Sequence, residues 1–217
     1  METLTMSESR KRTAPVEPLP KGDRNGNPAD LSLLSLIEED LRTHDNLLFE
    51  QGFWALAVHR FGNWRMSIRW KLFRAPMSLL YRCLFRSVEW TCGITLPYTV
   101  PVGRRVRIWH HGGMILHARS IGNDVHIRQN TTFGVAHRGQ NEALPVIEDG
   151  VDIGCNVCVL GNVRIGARAT LGAGSVVVND VPPEAVAVGV PARILPTRDV
   201  SVPKLSLSER PSETFVT

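Results

Sequence analysis

Residues 147–182 read IEDGVD IGCNVC VLGNVR IGARAT LGAGSV VVNDVP, a pattern that returns every six residues. The first place of each block is aliphatic (Ile147, Ile153, Val159, Ile165, Leu171, Val177). The fifth is small or β-branched (Val151, Val157, Val163, Ala169, Ser175, Val181). A fifth-place residue lies two before the next first-place one, so on an extended chain both side chains leave the same side. An α-helix cannot use the pattern: six steps of about 100° turn about 240°, which scatters the first-place residues over three faces. The pattern predicts short parallel strands with a corner every six residues, three sides to a coil, wound into a parallel β-helix. Inward pairs of successive coils then stack about 4.8 Å apart. Gly154, Gly166 and Gly172 follow the first place, where a tight corner favours a residue without a Cβ.

The same beat runs upstream through Val102, Ile108, Ile121, Ile127 and Phe133, with an irregular step at Met114 or Ile115. It fails between Phe133 and Ile147, where fourteen residues stand in place of six. The extra chain, within GVAHRGQNEALPV, must leave the wall as an extended loop over residues 135–146, and long loops in compact repeats are more often functional than accidental. After Val181 the prolines of PPEAVAVGVPARIL cannot extend a ladder, so this segment is expected to cover the last coil's open edge. The wall is thus expected over residues 93–195.

Residues 1–30 are polar and rich in Pro, Gly and charge and read as a disordered tail; residues 196–217 read as a flexible one. Between them, residues 31–92 have helical spacing. Leu33, Leu34, Leu36, Ile37 and Leu41 make one stripe, and Phe53, Leu56, Ala57 and Phe61 a second. A third helix is expected within residues 68–90, broken or kinked at Pro76. It mixes Arg69, Lys71, Arg74, Arg82 and Arg86 with Trp70, Phe73, Tyr81 and Phe85. Such a helix fits an anionic membrane surface or a protein neighbour. Packing is the expectation, because Leu79, Leu80, Leu84 and Val88 offer a core face.

At 217 residues the chain holds one substantial core and a smaller appendage. Its 43% hydrophobic and 21% charged residues are ordinary for a globular protein. The formal charge of +4 is mild and much of it sits in residues 65–86, so nucleic-acid binding is not expected. No apolar run approaches the roughly 20 residues of a membrane span, and METLTMSESRKRT has no apolar core of a secretory signal. Cys155 and Cys158 form a C-x-x-C spacing inside a coil, where two small residues of a strand and its corner are expected rather than a metal or redox pair. A reducing cytoplasm fits four scattered cysteines.

The hexads, the fourteen-residue gap and the closing GVPARI together resemble the hexapeptide-repeat acyltransferases. Within them the chain is similar to the serine acetyltransferase family over roughly residues 52–195. The likeness rests on QGFWALAVHRFGNW in the helices and on IGNDVHIRQNTTFG and LGAGSVVVNDVPPEAVAVGVPARI in the wall. The resemblance implies a left-handed parallel β-helix preceded by a small α-helical domain, and a homotrimer with active sites between subunits. It also implies acetyl-CoA as co-substrate, no metal, and acetyl transfer to a hydroxyl. It places the catalytic histidine on His110 in IWHHGGMIL, and the acetyl-CoA cleft along the backbone around Gly134, Cys155 and Ala173. Histidine suits the role, since a neutral imidazole can take the proton of a weak alcohol nucleophile as it attacks a thioester. Trp109, His111, His137 on the loop and Leu144 are the candidate substrate contacts.

The departures bear on the acceptor. Where the serine-specific enzymes have an aspartate before the catalytic histidine, this chain has Trp109; where their loop has Arg-His before the proline, it has Ala143 and Leu144. The acid that orients the histidine falls near Thr95, and Asp45 only loosely matches another substrate-binding acid. A free amino acid needs partners for its ammonium and carboxylate once desolvated. A sugar hydroxyl in polysaccharide assembly is therefore the expected acceptor, with Trp109 as a stacking face. Serine O-acetylation and an inactive trimeric scaffold are the alternatives. The ending Phe215-Val216-Thr217 departs from the family's terminal isoleucine, so docking to cysteine synthase is not expected.

Overall fold

The structure, a computed structural model, describes residues 18–196. Three helices come first: α1 (Leu33–Thr43), α2 (Gln51–Trp64) and α3 (Lys71–Cys92). Ser32 caps α1, its hydroxyl accepting from the Ser35 N–H at 3.2 Å. Gly93, at φ 64°, ends α3 in the left-handed conformation common after helices.

Beyond Gly93 short strands pass in turn through three sheets. The first sheet stacks Ile94–Thr95, Met114–Leu116, Thr132–Gly134, Cys158–Leu160 and Val176–Val177. The second stacks Ser120–Ile121, Val146–Ile147 and Arg164–Ile165. The third stacks Arg107–Ile108, His126–Ile127, Asp152–Ile153, Thr170–Leu171 and Val186–Val188. All these pairings are parallel. The chain therefore winds as a coil, and its registers are those of the hexads. Ile108, Ile127, Ile153, Leu171 and Ala187 stack in one column; Leu116, Phe133, Val159 and Val177 in another; Ile121, Ile147 and Ile165 in a third. Every first-place and fifth-place residue of 147–181 is at most 7% exposed, which makes these two places the core. Arg193–Ile194 turns back antiparallel to Val186–Val188 and occupies the edge of the third sheet.

The corner glycines have a different reason from the one expected. Gly154 and Gly166 do not have positive φ; in four of the six hexads the left-handed residue is the fourth, Gly150, Asn156, Arg168 or Gly174. A Cβ on Gly154 would instead lie 2.6 Å from the backbone nitrogen of Ala173, and one on Gly166 2.4 Å from that of Pro183. Close approach of the next coil, not backbone conformation, requires glycine there.

The helices are locked to the first coil by α2. Arg60 is fully buried; its Nε donates to Asp40 Oδ2 at 2.9 Å, and its terminal nitrogens reach the carbonyls of Val102 (2.8 Å) and Gly103 (2.6 Å). Burial pushes the Asp40 carboxyl up, opposed by that guanidinium. His59 bonds the Val100 carbonyl at 2.8 Å, and burial lowers its pKa to about 3. His44 donates Nδ1–H to the Asp40 carbonyl at 2.7 Å and accepts the Ile108 N–H on Nε2 at 3.3 Å, which defines one neutral tautomer. Burial holds its pKa below the usual value.

Two expectations about α3 are corrected. Pro76, the sixth residue of the helix, does not break it; the helix runs on to Cys92 and forfeits one ladder bond, the one a residue with an N–H would make to the Leu72 carbonyl. The core face is Tyr81, Val88 and Cys92, at i, i+7 and i+11, whereas Leu79, Leu80 and Leu84 are exposed. Tyr81 and Leu79 are two residues, about 200°, apart around the axis, so burying one turns the other outward.

From residue 18 onward the expected tail is fastened. The Gly26 N–H reaches Asn63 Oδ1 at 3.0 Å, Asn27 Nδ2 donates to the Arg60 carbonyl at 2.9 Å, and Asp30 pairs with Arg104 at 2.5 Å. The rest of that tail, and the tail expected after residue 196, lie outside the described residues.

Candidate active site

The coil slips where His110 sits. Ile108 and Leu116, stacked on Ile127 and Phe133, are eight residues apart, whereas Ile127 to Phe133 and Ile153 to Val159 each take six. The surplus goes into the corner Trp109–Gly113. There His110 (φ 61°), Gly112 (φ 97°) and Gly113 (φ 62°) are all left-handed. A histidine in this region is uncommon, and the surroundings must hold it there. They do so through backbone bonds: Trp109 N–H to the Ile127 carbonyl (2.8 Å), Gly112 N–H to that of Cys92 (3.0 Å) and Met114 N–H to that of Gly93 (2.9 Å). The C-terminal end of α3 is thus the base on which the histidine corner rests. The side chains of His110 and His111 are both exposed.

Trp109 is not free to swing. Its Nε1–H donates to His126 Nδ1 at 3.0 Å, and the Arg107 guanidinium lies 3.7 Å from the ring centre. Arg107 in turn is paired with Asp45, whose carboxyl it holds below the usual range. An ordered row Asp45–Arg107–Trp109–His126 therefore runs along the outer face of the third sheet beside His110. His126, which has no site-like context in the sequence, is the register partner of Arg107 and belongs to this row. Thr95 carries no charge, but its hydroxyl donates to Glu89 Oε1 at 3.2 Å, so α3 delivers a carboxylate to that place. Glu89 Oε2 is held by Arg86 at 2.7 Å.

Cys155 and Ala173 occupy the corners below His110 on the same edge, between the third and first sheets. Backbone bonds tie these corners together, Asn156 N–H to Gln129 O (3.0 Å) and Gly174 N–H to Cys155 O (2.8 Å). Gly134, His137 and Leu144 belong to the other edge of the first sheet, where the long loop leaves the wall. Arg119 fastens the loop's base, donating to the carbonyls of Glu142 and Pro145, each at 2.7 Å. Two hollows flank it: one of about 490 Å³ lined by Ile115, His117, Thr132, Gly134 and Leu144, and one of about 830 Å³ lined by His137, Gly139, Glu142 and Asn162. Ala143 is buried and Leu144 half-buried, while His137 is exposed. One chain thus joins His110 to Trp109, His111, Cys155 and Ala173 along one edge and sets the loop residues on another. Cys155 and Cys158 are free thiols, and among the described residues no cluster of three His, Cys, Asp or Glu side chains is placed to hold a metal.

No family model matches the chain. Single proteins and structures do. It is 34% identical over 164 residues to a serine acetyltransferase of Escherichia coli K12, covering 75% of this chain and 58% of that one. It is 30% identical over 166 residues to one of Synechococcus elongatus. The soybean serine acetyltransferase apoenzyme superposes with a TM-score of 0.63 at 32% identity, over 76% of this chain and 69% of that one. The Neisseria gonorrhoeae enzyme in complex with serine gives 0.61 at 32% identity, over 74% and 68%. The chain belongs to the serine acetyltransferase family. It spans about three-fifths of the length of the curated relatives it matches.

Proposed function

We propose that this protein is an acetyl-CoA-dependent O-acetyltransferase whose left-handed β-helix assembles as a trimer, with the active sites between subunits. The observation that carries the reading is His110: an exposed histidine fixed at the slipped corner, in a step lengthened from six residues to eight, in a family whose members are named for acetyl transfer. The split between the two edges supports a shared site, since the loop of one copy can meet the His110 edge of the next. One solved relative is a complex with CoA. The residues here fit such a ligand: Ala173 and Gly174 are exposed and small, and among the described residues a Cβ on Gly174, or on Gly134 at the other edge, would meet nothing, so both edges leave room for a narrow chain.

Bound acetyl-CoA would supply an activated acetyl thioester. His110 takes the acceptor's hydroxyl proton as that oxygen forms the new ester bond, and returns it to the departing thiolate. Glu89, which accepts from the Thr95 hydroxyl, sets a carboxylate where the sequence puts no charge, and it is the candidate for the acid that orients the imidazole.

For the acceptor, the relatives favour serine over the sugar expected from sequence. One feature of the site points the same way: the Arg107 guanidinium, held by Asp45, already covers one face of the Trp109 ring that a sugar would stack on. The sugar reading retains one observation: Ala143 and Leu144 put no charge where an amino acid's carboxylate needs one. Thiol release from acetyl-CoA, with serine set against a panel of sugars and nucleotide sugars, separates the two. Saturable turnover on serine supports the first, and turnover on a sugar alone replaces it with the second.

A further inference from the structure

α3 carries two apolar faces, and among the described residues only one has a partner. Tyr81, Val88 and Cys92 are buried against the rest of the protein. On the opposite side Leu72, Leu79 and Trp90 are 80%, 63% and 82% exposed. They stand at i, i+7 and i+18, which brings them within about 20° of one line along the helix. Trp70 and Phe73, 72% and 59% exposed, extend the apolar surface at the helix start.

The charge around this face has one sign. Arg69, Lys71, Arg74, Arg82 and Arg86 fall between residues 69 and 92 against a single acid, Glu89, a surplus equal to the formal +4 of the whole chain. Glu89 is occupied by Arg86 and Thr95, and Lys71, Arg82 and Arg86 are exposed. Lys71, Arg82 and Arg86 line one margin of the Leu72–Leu79–Trp90 stripe, at about 0°, 20° and 60° against its 80–100°.

We propose that this face of α3 docks on the surface of an anionic phospholipid bilayer, with Leu72, Leu79 and Trp90 entering the headgroup boundary and Lys71, Arg82 and Arg86 meeting lipid phosphates. A second copy of the same face is a poorer occupant, because self-pairing would set cationic margins against each other. The helix lies on the membrane and does not cross it: no helix among the described residues is long and apolar enough to span a bilayer.

The test is co-sedimentation of the full chain with vesicles of phosphatidylcholine containing one third phosphatidylglycerol, against vesicles of phosphatidylcholine alone. The protein should bind the anionic vesicles at least tenfold more tightly, and about 0.5 M salt should remove that preference. Lys71→Glu/Arg82→Glu should abolish binding, and so should Leu79→Glu/Trp90→Glu; as these side chains are exposed, circular dichroism and melting should stay those of the parent. The proposal is overturned by equal binding to both vesicles, by binding that survives Leu79→Glu/Trp90→Glu, or by no vesicle binding while that double variant lowers the oligomeric state.

Discussion

Replacing Arg60 by Met is the sharpest test of how the helices are held to the coil. Methionine fills much of the volume but leaves the Asp40 carboxylate, 0% exposed, without its cation. It also leaves the Val102 and Gly103 carbonyls without the donors now at 2.8 and 2.6 Å. Breaking a buried pair from one side costs about 3–5 kcal/mol, because the surviving charge is left desolvated. Each orphaned carbonyl adds about 1–3 kcal/mol where water cannot reach it. Asp40 can escape part of the cost by taking up a proton, which burial already favours, so we expect a total near the lower end, about 4 kcal/mol at neutral pH. Urea unfolding followed by circular dichroism reads this as a lower midpoint at unchanged slope. The double variant Asp40→Leu/Arg60→Met removes the stranded charge and should recover more than half of the loss. A loss below about 1 kcal/mol for Arg60→Met, or no recovery in the double variant, would refute the view that this buried pair clamps α1 and α2 to the first coil.

The remaining predictions concern acid stability, the corner glycines and the orienting acid. His59 and His44 are held neutral in the fold, with pKa values below that of an unfolded histidine. The unfolded chain therefore binds more protons below about pH 6.5, and stability should fall as pH drops, by up to about 1.4 kcal/mol per pH unit for each group, with His59 contributing down to about pH 3. Melting temperatures between pH 7.5 and 4.5 check this, and His59→Gln should flatten the curve. Gly154→Ala should cost about 1–3 kcal/mol, since its Cβ would fall 2.6 Å from the Ala173 nitrogen. Gly174→Ala meets nothing and should cost only the left-handed strain of about 1 kcal/mol. Glu89→Gln should lower kcat about tenfold or more with little change in KM and move the acidic limb of the kcat profile. Glu89→Asp should recover part of the rate. An equal loss in both, with an unmoved profile, would make Glu89 structural only.

The wall was legible because its signal is one-dimensional. A first-place and a fifth-place residue every six positions can be read without knowing what they touch, and Ile153, Val159 and Leu171 lie in the columns that reading assigns. The three helices were legible as elements but not in their facing. In α3 both sides are apolar, so periodicity alone chose Leu79 and Leu84, while the aromatic contacts of Tyr81 with Tyr98 (ring centres 5.3 Å apart) and of Arg65 over both rings turned the other side inward. The site was legible in part. His110 could be placed by likeness, but Arg107 and His126 come together beside its corner through register, and Glu89 reaches Thr95 through helix packing, links between residues 17 to 19 positions apart or on different elements. One signal was available for Arg107 and His126: each precedes the inward aliphatic of its hexad, and so faces outward on the same sheet.

The central claim, that His110 is the base of an acetyl transfer, is tested most directly by thiol release from acetyl-CoA in the presence of its best acceptor. The account predicts that His110→Ala loses about 10²–10⁴ in turnover while acetyl-CoA binding persists, and that His111→Ala loses far less. Undiminished turnover in His110→Ala, or a larger loss in His111→Ala, would contradict it.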